Sequence, residues 1–491
     1  MGQMRFRIHD RNRIAPGGLD RIYVSGMEEI PWSTRVSWDG DELVVQRSTS
    51  DSGCVNVPWL VDGHGQKVLT TTTLMERERP YLLEVELARG LIQRLRNRLF
   101  IWEWLGLEAP VELQSQLQAA TREFALAATS QQEPEVAAAA ANRALAGALS
   151  TAHELVASYA EQAIAARQKQ APLATLMGVS LSPQTPAVKV RRQLVEACNI
   201  VQLPIAWRAI ELREGRRDWK QTDEQLAWCQ TAGLKVAAGP LLRMDDAGVP
   251  DWMVLWEGDF DNLLRLMIDH VRAVVSRYAG RVHLWQVASR VNTGKLLSLE
   301  EEQCLQLVAQ AVDVVRQLDS RTPTVVSFDQ PWAEYLGYEN EDLAPLHYAD
   351  ALVRADLGVS GFGLELNAGF RPGSSHRPIF ELGRLIDQWS IWGLPLMFHL
   401  STASATSADA LAKKDIAIDL AGGAGGADNA QRDWAAEVLP LLLARSSVQV
   451  ILWNQLSDSV PHEFPHAGLF DANEQAKPTL GLMRDLRKAC L

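Results

Sequence analysis

Three ionisable residues stand at or near the ends of successive apolar runs in the second half of the chain. Arg290 closes VHLWQVASR, Asp329 closes TVVSFD, and Glu365 lies in GFGLELN. If these runs are neighbouring strands, the two carboxylates share one site and the guanidinium lies one strand further round. Paired carboxyl groups can cleave a glycosidic bond, one attacking and one protonating the leaving oxygen. An adjacent arginine lowers carboxylate pKa values, which suits a nucleophile and not an acid. Three readings stay open at this point: a working Glu365/Asp329 pair, a structural network joining both to Arg290, or ligand binding without chemistry. In the last, Arg290 would grip an acidic sugar bidentately.

Other run ends add polar groups and rings: Trp207 and Arg208, Arg243, Ser289, Trp332 just beyond Asp329, Asn367, His399 and Ser401, then Trp453, Asn454 and Asp458. Such a rim suits a sugar, whose hydroxyls need hydrogen-bonding groups and whose apolar face needs an indole. Sixteen tryptophans are more than a core alone requires. HEFPH at 462–466 fits the H-E-x-x-H zinc expression, but Pro465 forbids the continuous helix that would align both histidines. It reads as a loop from which His462 or His466 could reach the site. AGGAGGADN at 421–429 follows no strand as a phosphate loop would, and reads as a mobile segment. Five scattered cysteines with no CxxC pair read as reduced thiols.

The elements that must position this rim follow from periodicity. Residues 1–80 alternate as strands, with Asp39-Gly40 marking a hairpin turn. Residues 81–172 switch to a helical period and read as a hairpin of two long helices broken at SQQEPE, with Pro134 at a helix start. Residues 173–491 alternate eight apolar strands with helices. The fold class is therefore α/β, a C-terminal (β/α)8 barrel preceded by a small β-sandwich-like domain and a helical connector. A doubly wound open sheet is the alternative, disfavoured by eight units and no phosphate loop. In the barrel, function belongs at the C-terminal strand ends.

With 491 residues, 47% hydrophobic and 22% charged, the chain has the composition of a globular protein with a large core. A formal net charge of −12 argues against nucleic acid. No apolar run is long enough to span a membrane. The start, MGQMRFRIHDRNR, lacks an apolar leader segment, so a cytoplasmic location is expected. No cofactor and no metal is expected.

AWRAIELREGRRDW and AGLKVAAGPLLRMDDAGVPDWM resemble the second and third barrel units of glycoside hydrolase family 10, the xylanase family. HLWQVAS is similar to its fourth strand, GFGLELN to its sixth, LPLMFHL to its seventh, and ILWNQLSD with HAGLFDANEQAKPTLGLM to its closing stretch. The resemblance covers roughly 174–491. Trp207, Trp252, Trp285, Trp453 and Asp458 match the family pattern, but the reacting groups do not. The family's acid/base Glu aligns with Arg290 and its nucleophile falls at about Leu400, after His399. The Gln and His of its sixth strand correspond to Glu365 and Asn367. A retaining glycosidase needs two carboxyls about 5–5.5 Å apart. Arginine holds its proton too tightly to act as the acid, and leucine cannot attack carbon.

The resemblance therefore implies a carbohydrate-binding barrel mouth, for a polysaccharide or oligosaccharide, with retaining hydrolysis lost or relocated. Glu365 and Asp329 are the candidate catalytic residues. Trp207, Arg243, Trp285, Arg290, Trp332, Asn367, His399, Trp453 and Asp458 are the candidate binding residues. The competing class is a non-catalytic scaffold, a homo-oligomer built through the helical region.

Overall fold

Strands buried on both faces must be apolar along their whole length, and eight such runs supply the barrel. The structure is a computed structural model that describes residues 2–14, 17–169, 171–245, 247–338, 343–413, 416–420 and 429–491. Most of the glycine-rich 421–429 segment thus lies outside the described residues. The parallel strands are β1 (Leu176–Ser180), β2 (Ile200–Leu203), β3 (Lys235–Ala238), β4 (Leu284–Ser289), β5 (Thr324–Asp329), β6 (Gly361–Ala368), β7 (Leu396–Thr402) and β8 (Val448–Trp453). β8 pairs with β1, and β3 with β4, so the sheet closes on itself.

The pleat then sorts the side chains. Outward residues such as Phe362, Leu364, Phe398, Leu400 and Trp453 join the surrounding helices in the main core. Inward residues Ile200, Ala237, Leu284, Val325, Met397, Val450 and Leu452 form a separate apolar floor. One tier above that floor the inward positions become polar, at Gln202, Gln286, Ser327 and His399. A helix at Pro345–Arg354 between β5 and β6 completes a unit that periodicity had not marked.

The N-terminal strands form two four-stranded sheets. One contains the hairpin Thr34–Asp39/Glu42–Arg47, whose turn uses Gly40 at φ 60°. The other contains Cys54–Val61, a strand masked in the sequence by Pro58. Proline is tolerated there because the adjacent strand Tyr23–Ser25 pairs only as far as Asn56. Opposite Pro58, the Val68 N–H points out of the ladder and donates to the His376 carbonyl at 2.8 Å, joining this sheet to the barrel.

Between sheets and barrel lie three helices, not two: α1 (Leu83–Trp104), α2 (Val111–Thr129) and α3 (Pro134–Gln168). Pro134 begins α3, where a missing N–H costs nothing. Its buried face, from Ala137 through Ala144, Ala148 and Ala152 to Val156, packs against α1, α2 and the barrel helix Ala430–Ala444. The apolar face of α3 is therefore covered by its own chain, whereas Phe100, Trp104, Leu105 and Val111 are exposed around the turn from α1 to α2. Arg94 and Arg98 of α1 pair with Glu381 (3.3 Å) and Asp387 (2.6 Å) on the barrel helix Ile379–Trp389. Among the described residues no helix is long and apolar enough to cross a membrane, and none of the five cysteines is in a disulfide.

The closest approach of α1 to the sheets is at Gly90, where a methyl group would overlap the Thr70 carbonyl oxygen and crowd the Thr71 backbone. Alanine is worth about 1 kcal/mol over glycine inside a helix, yet here overpacking decides the sign. Gly90→Ala is expected to lower unfolding stability by about 1–3 kcal/mol in urea titrations.

Candidate functional site

The C-terminal strand ends enclose a cavity of about 300 Å³. Its base is the polar tier of the barrel interior. The Gln202 amide donates to the Gly239 carbonyl (3.2 Å) and to the Gln286 side chain, which in turn donates to Ser327 Oγ (2.7 Å). Ser180 Oγ and His399 Nε2 both donate to Gln202 Oε1, at 2.5 and 2.9 Å. Burial pulls the His399 pKa down to about 4, with Glu365 opposing and Arg290 adding to the shift. The imidazole is therefore neutral near pH 7, with Nε2 protonated and a buried Nδ1 that has no partner.

Arg290 crosses the mouth above this tier. It follows β4 in the left-handed region (φ 57°), which ends the strand abruptly. Its guanidinium is almost fully committed. Nε donates to Glu365 Oε2 at 3.1 Å, Nη1 to Glu463 at 2.6 Å and Asp245 at 3.2 Å, and Nη2 to Glu463 at 3.3 Å. Arg243 closes the ring by donating to Asp245 (2.7 Å) and Glu463 (2.8 Å). Burial disfavours the Arg290 charge, but Glu463, Glu365, Asp329 and Asp245 outweigh it and hold its pKa well above the ordinary value. Burial likewise opposes ionisation of Glu463, and the two arginines overcome it and hold that carboxyl far below its usual range.

Asp329 behaves differently. Burial pushes its pKa up to about 7; Arg290 opposes this and Glu365 adds to it. A neighbouring arginine was expected to depress this carboxyl, but here desolvation is the larger effect. Asp329 accepts from the Gln330 N–H (2.8 Å) and the Asn367 amide (3.1 Å), and Asn367 accepts from Ser401 (2.7 Å) and Asn454 (3.1 Å).

Of the residues singled out from sequence, Trp207, Arg243, Arg290, Glu365 and His399 line the cavity, and Asp329 and Asn367 lie beside it in the interior. Trp207 stacks on His270, with ring centroids 4.2 Å apart, so one face of its indole is already covered. The pleat turns Trp285 and Trp453 outward, where their ring N–H groups donate to Asp319 (3.1 Å) and the Ala467 carbonyl (2.8 Å). Trp332 lies under the Arg377 guanidinium, away from the cavity. Asp458 is buried, accepting from the Gly468 N–H (2.7 Å) and pairing with Lys477 (2.5 Å).

Sequence reasoning missed Asp245, Glu463, Gln202 and Gln286. The glutamines carried a signal, as lone amides inside otherwise apolar strands. Glu463 lies within HEFPH, which runs as a loop. His462 of that motif faces Asp409 at 2.9 Å and the Val460 carbonyl at 2.8 Å, which pins the loop and brings Glu463 over the mouth.

The family model for glycosyl hydrolase family 10 matches residues 176–298. Endo-1,4-beta-xylanase C of Paenibacillus barcinonensis is 29% identical over 89 residues, which is 17% of this chain and only 8% of that protein's length. Among solved structures, xylanase 10B of Thermotoga maritima has a TM-score of 0.50 at 15% identity, covering 64% of this chain and 95% of its own. Xylanase 10B of Thermotoga petrophila, solved with xylobiose, has a TM-score of 0.51 at 15% identity, covering 68% and 97%. At such identity these structures share the fold. The C-terminal part is a TIM barrel similar to glycoside hydrolase family 10.

Two substitutions probe the network. Arg290→Met strands buried carboxylates and is expected to cost about 3–5 kcal/mol at pH 7 in denaturant titrations, less near pH 4, where carboxylates protonate. Asp329→Asn tests the raised carboxyl. A group whose folded pKa exceeds its unfolded value destabilises the fold as pH rises through that interval. Wild-type stability should therefore lose ground to Asp329→Asn between about pH 4 and about pH 7, and the difference should level off above. His399 works in the opposite sense over part of this range, so the difference between the two proteins is the quantity to measure.

Proposed function

We propose that the barrel mouth binds a carbohydrate and does not hydrolyse it by the two-carboxylate route. The observation that carries this reading is Arg290, standing where the family resemblance calls for the acid and locked among Glu463, Asp245 and Glu365. A guanidinium in that setting cannot deliver a proton near neutrality. On β7 the inward group is a neutral imidazole, and Leu400 belongs to the outer core. A relocated Glu365/Asp329 pair finds little support: Glu365 lines the cavity, but Asp329 does not, and its Oδ1 accepts from two neighbours within the interior.

The groups left for a ligand favour hydroxyls over acids. The Arg290 fork is already spent on Glu463, so the bidentate grip on an acidic sugar is blocked. Gln286, His399, Asn454 and Glu365 offer amide, imidazole and carboxylate contacts to a neutral sugar. The xylobiose complex of the Thermotoga petrophila enzyme makes xylo-oligosaccharides the first ligands to try.

The test pairs calorimetric titration of xylo-oligosaccharides with hydrolysis of the same sugars and of aryl glycosides, wild type beside Glu365→Gln. Saturable binding with no sugar released is the expected result. Turnover that disappears in Glu365→Gln would overturn the non-hydrolytic half of the reading, and failure of every sugar to bind would overturn the other half.

A further inference from the structure

A second cavity, of about 360 Å³, opens where the N-terminal strands, α1 and the barrel helix Ile379–Trp389 meet. This lies within the size range of small-molecule sites, about 300–1,000 Å³. One wall is α1, where the i, i+4 spacing sets Gln93 above Asn97 and Arg94 above Arg98 on the same face. The facing wall is the strand end at Thr71–Thr73. Arg384 and Glu29 close the sides. The close approach at Gly90 brings helix and strand together with no side chain between them.

Charge is unevenly spread here. On a chain of formal net charge −12, this cleft shows the guanidiniums of Arg94, Arg98 and Arg384 and the single carboxylate of Glu29. Glu381 and Asp387 neutralise the arginines from behind, outside the lining. Among the described residues, Arg94 donates only through Nη1, to Glu29 (3.0 Å) and Glu381, and Arg98 only through Nη1, to Asp387. The Arg98 side chain is 6% exposed, and its buried Nε has no acceptor. Burial pulls the Arg98 pKa down to about 10, with Glu381 opposing and Arg445 adding to the shift. Gln93 and Asn97 are exposed, and among the described residues their amides have no hydrogen-bond partner.

We propose that this cleft is a ligand site separate from the barrel mouth, binding a small oxyanion of monosaccharide size, a sugar carboxylate or sugar phosphate. The unused edge of Arg94 takes the oxyanion, with Arg98 behind it as a second positive charge, and Gln93 and Asn97 take the hydroxyls. A planar guanidinium matches a carboxylate or phosphate in pairs of hydrogen bonds, and a partly buried setting strengthens them. Glu29 keeps its place between Arg94 and Arg384, so the ligand adds to the network and displaces nothing.

The test is calorimetric titration of the full chain with glucuronate, glucose 6-phosphate and inorganic phosphate, with glucose as the neutral control. The decisive variant is Asn97→Asp, which adds a carboxylate beside both arginines at an exposed position and leaves the fold's ion pairs intact. Glucuronate or glucose 6-phosphate should bind at one site at millimolar concentration or below. Asn97→Asp should weaken that binding about tenfold or more through charge repulsion, and Glu365→Gln should not. The glucuronate and phosphate arms tell which oxyanion is preferred. No binding of either charged sugar, equal binding of glucose, or binding lost in Glu365→Gln but kept in Asn97→Asp would overturn the proposal.

Discussion

A buried guanidinium must be surrounded by acceptors, and the arrangement of the barrel mouth follows from meeting that demand at Arg290. Its partners come from three separate places: Asp245 after β3, Glu365 on β6 and Glu463 in the loop after β8. Asp245 and Glu463 stay ionised in a poorly solvated place because the arginines are there, and the arginines are tolerated because the carboxylates are. Removing one member leaves the others uncompensated, so strand ends and loops far apart in sequence hold one geometry. Such a network contributes little net stability against an apolar core of the same shape. What it does contribute is registry, since it ties the ends of β4 and β6 to the segments after β3 and β8.

Beneath it, the amide tier of Gln202 and Gln286 extends polar bonding deep into the barrel, down to the apolar floor around Ile200 and Met397. The barrel retains the shape shared with the xylanase structures and the cavity at the C-terminal strand ends. At the strand ends Arg290, Glu365, Asp245 and Glu463 hold one another. A shared fold does not by itself fix the chemistry, as TIM barrels generally show.

How much of this could be read in advance depended on range. All eight barrel strands were legible because burial on both faces writes a continuous apolar run, and strand ends then pointed to Arg290, Glu365 and His399. Side-chain facing was legible only where the pleat was counted carefully, and Trp285 and Trp453 lie one position out of phase with the interior. The strand around Pro58 was hidden because its tolerance depends on where a neighbouring strand stops. Helix α2 was overlooked although Gly106 and Pro110 before it and SQQEP after it mark both its ends. Glu463 and Asp245 could not be paired with Arg290 from sequence at all, since 173 and 45 positions separate them from it. The pKa of Asp329 went against expectation because burial depth, which outweighs a nearby charge, is set by the whole fold.

The long alanine face of α3 has a consequence for synthesis. That helix is finished at Gln168, yet the barrel helix that covers it ends at Ala444, more than two hundred residues later. At about 5–20 residues per second, the ribosome takes tens of seconds to make up that difference. During that interval α1 and α2 can pack on α3, but the remaining stripe of small apolar side chains has no covering surface of its own. A nascent chain in this condition is a client for whatever shields apolar surface near the tunnel exit. The α3 face, in the N-terminal third of the chain, is therefore completed only when the last barrel units arrive.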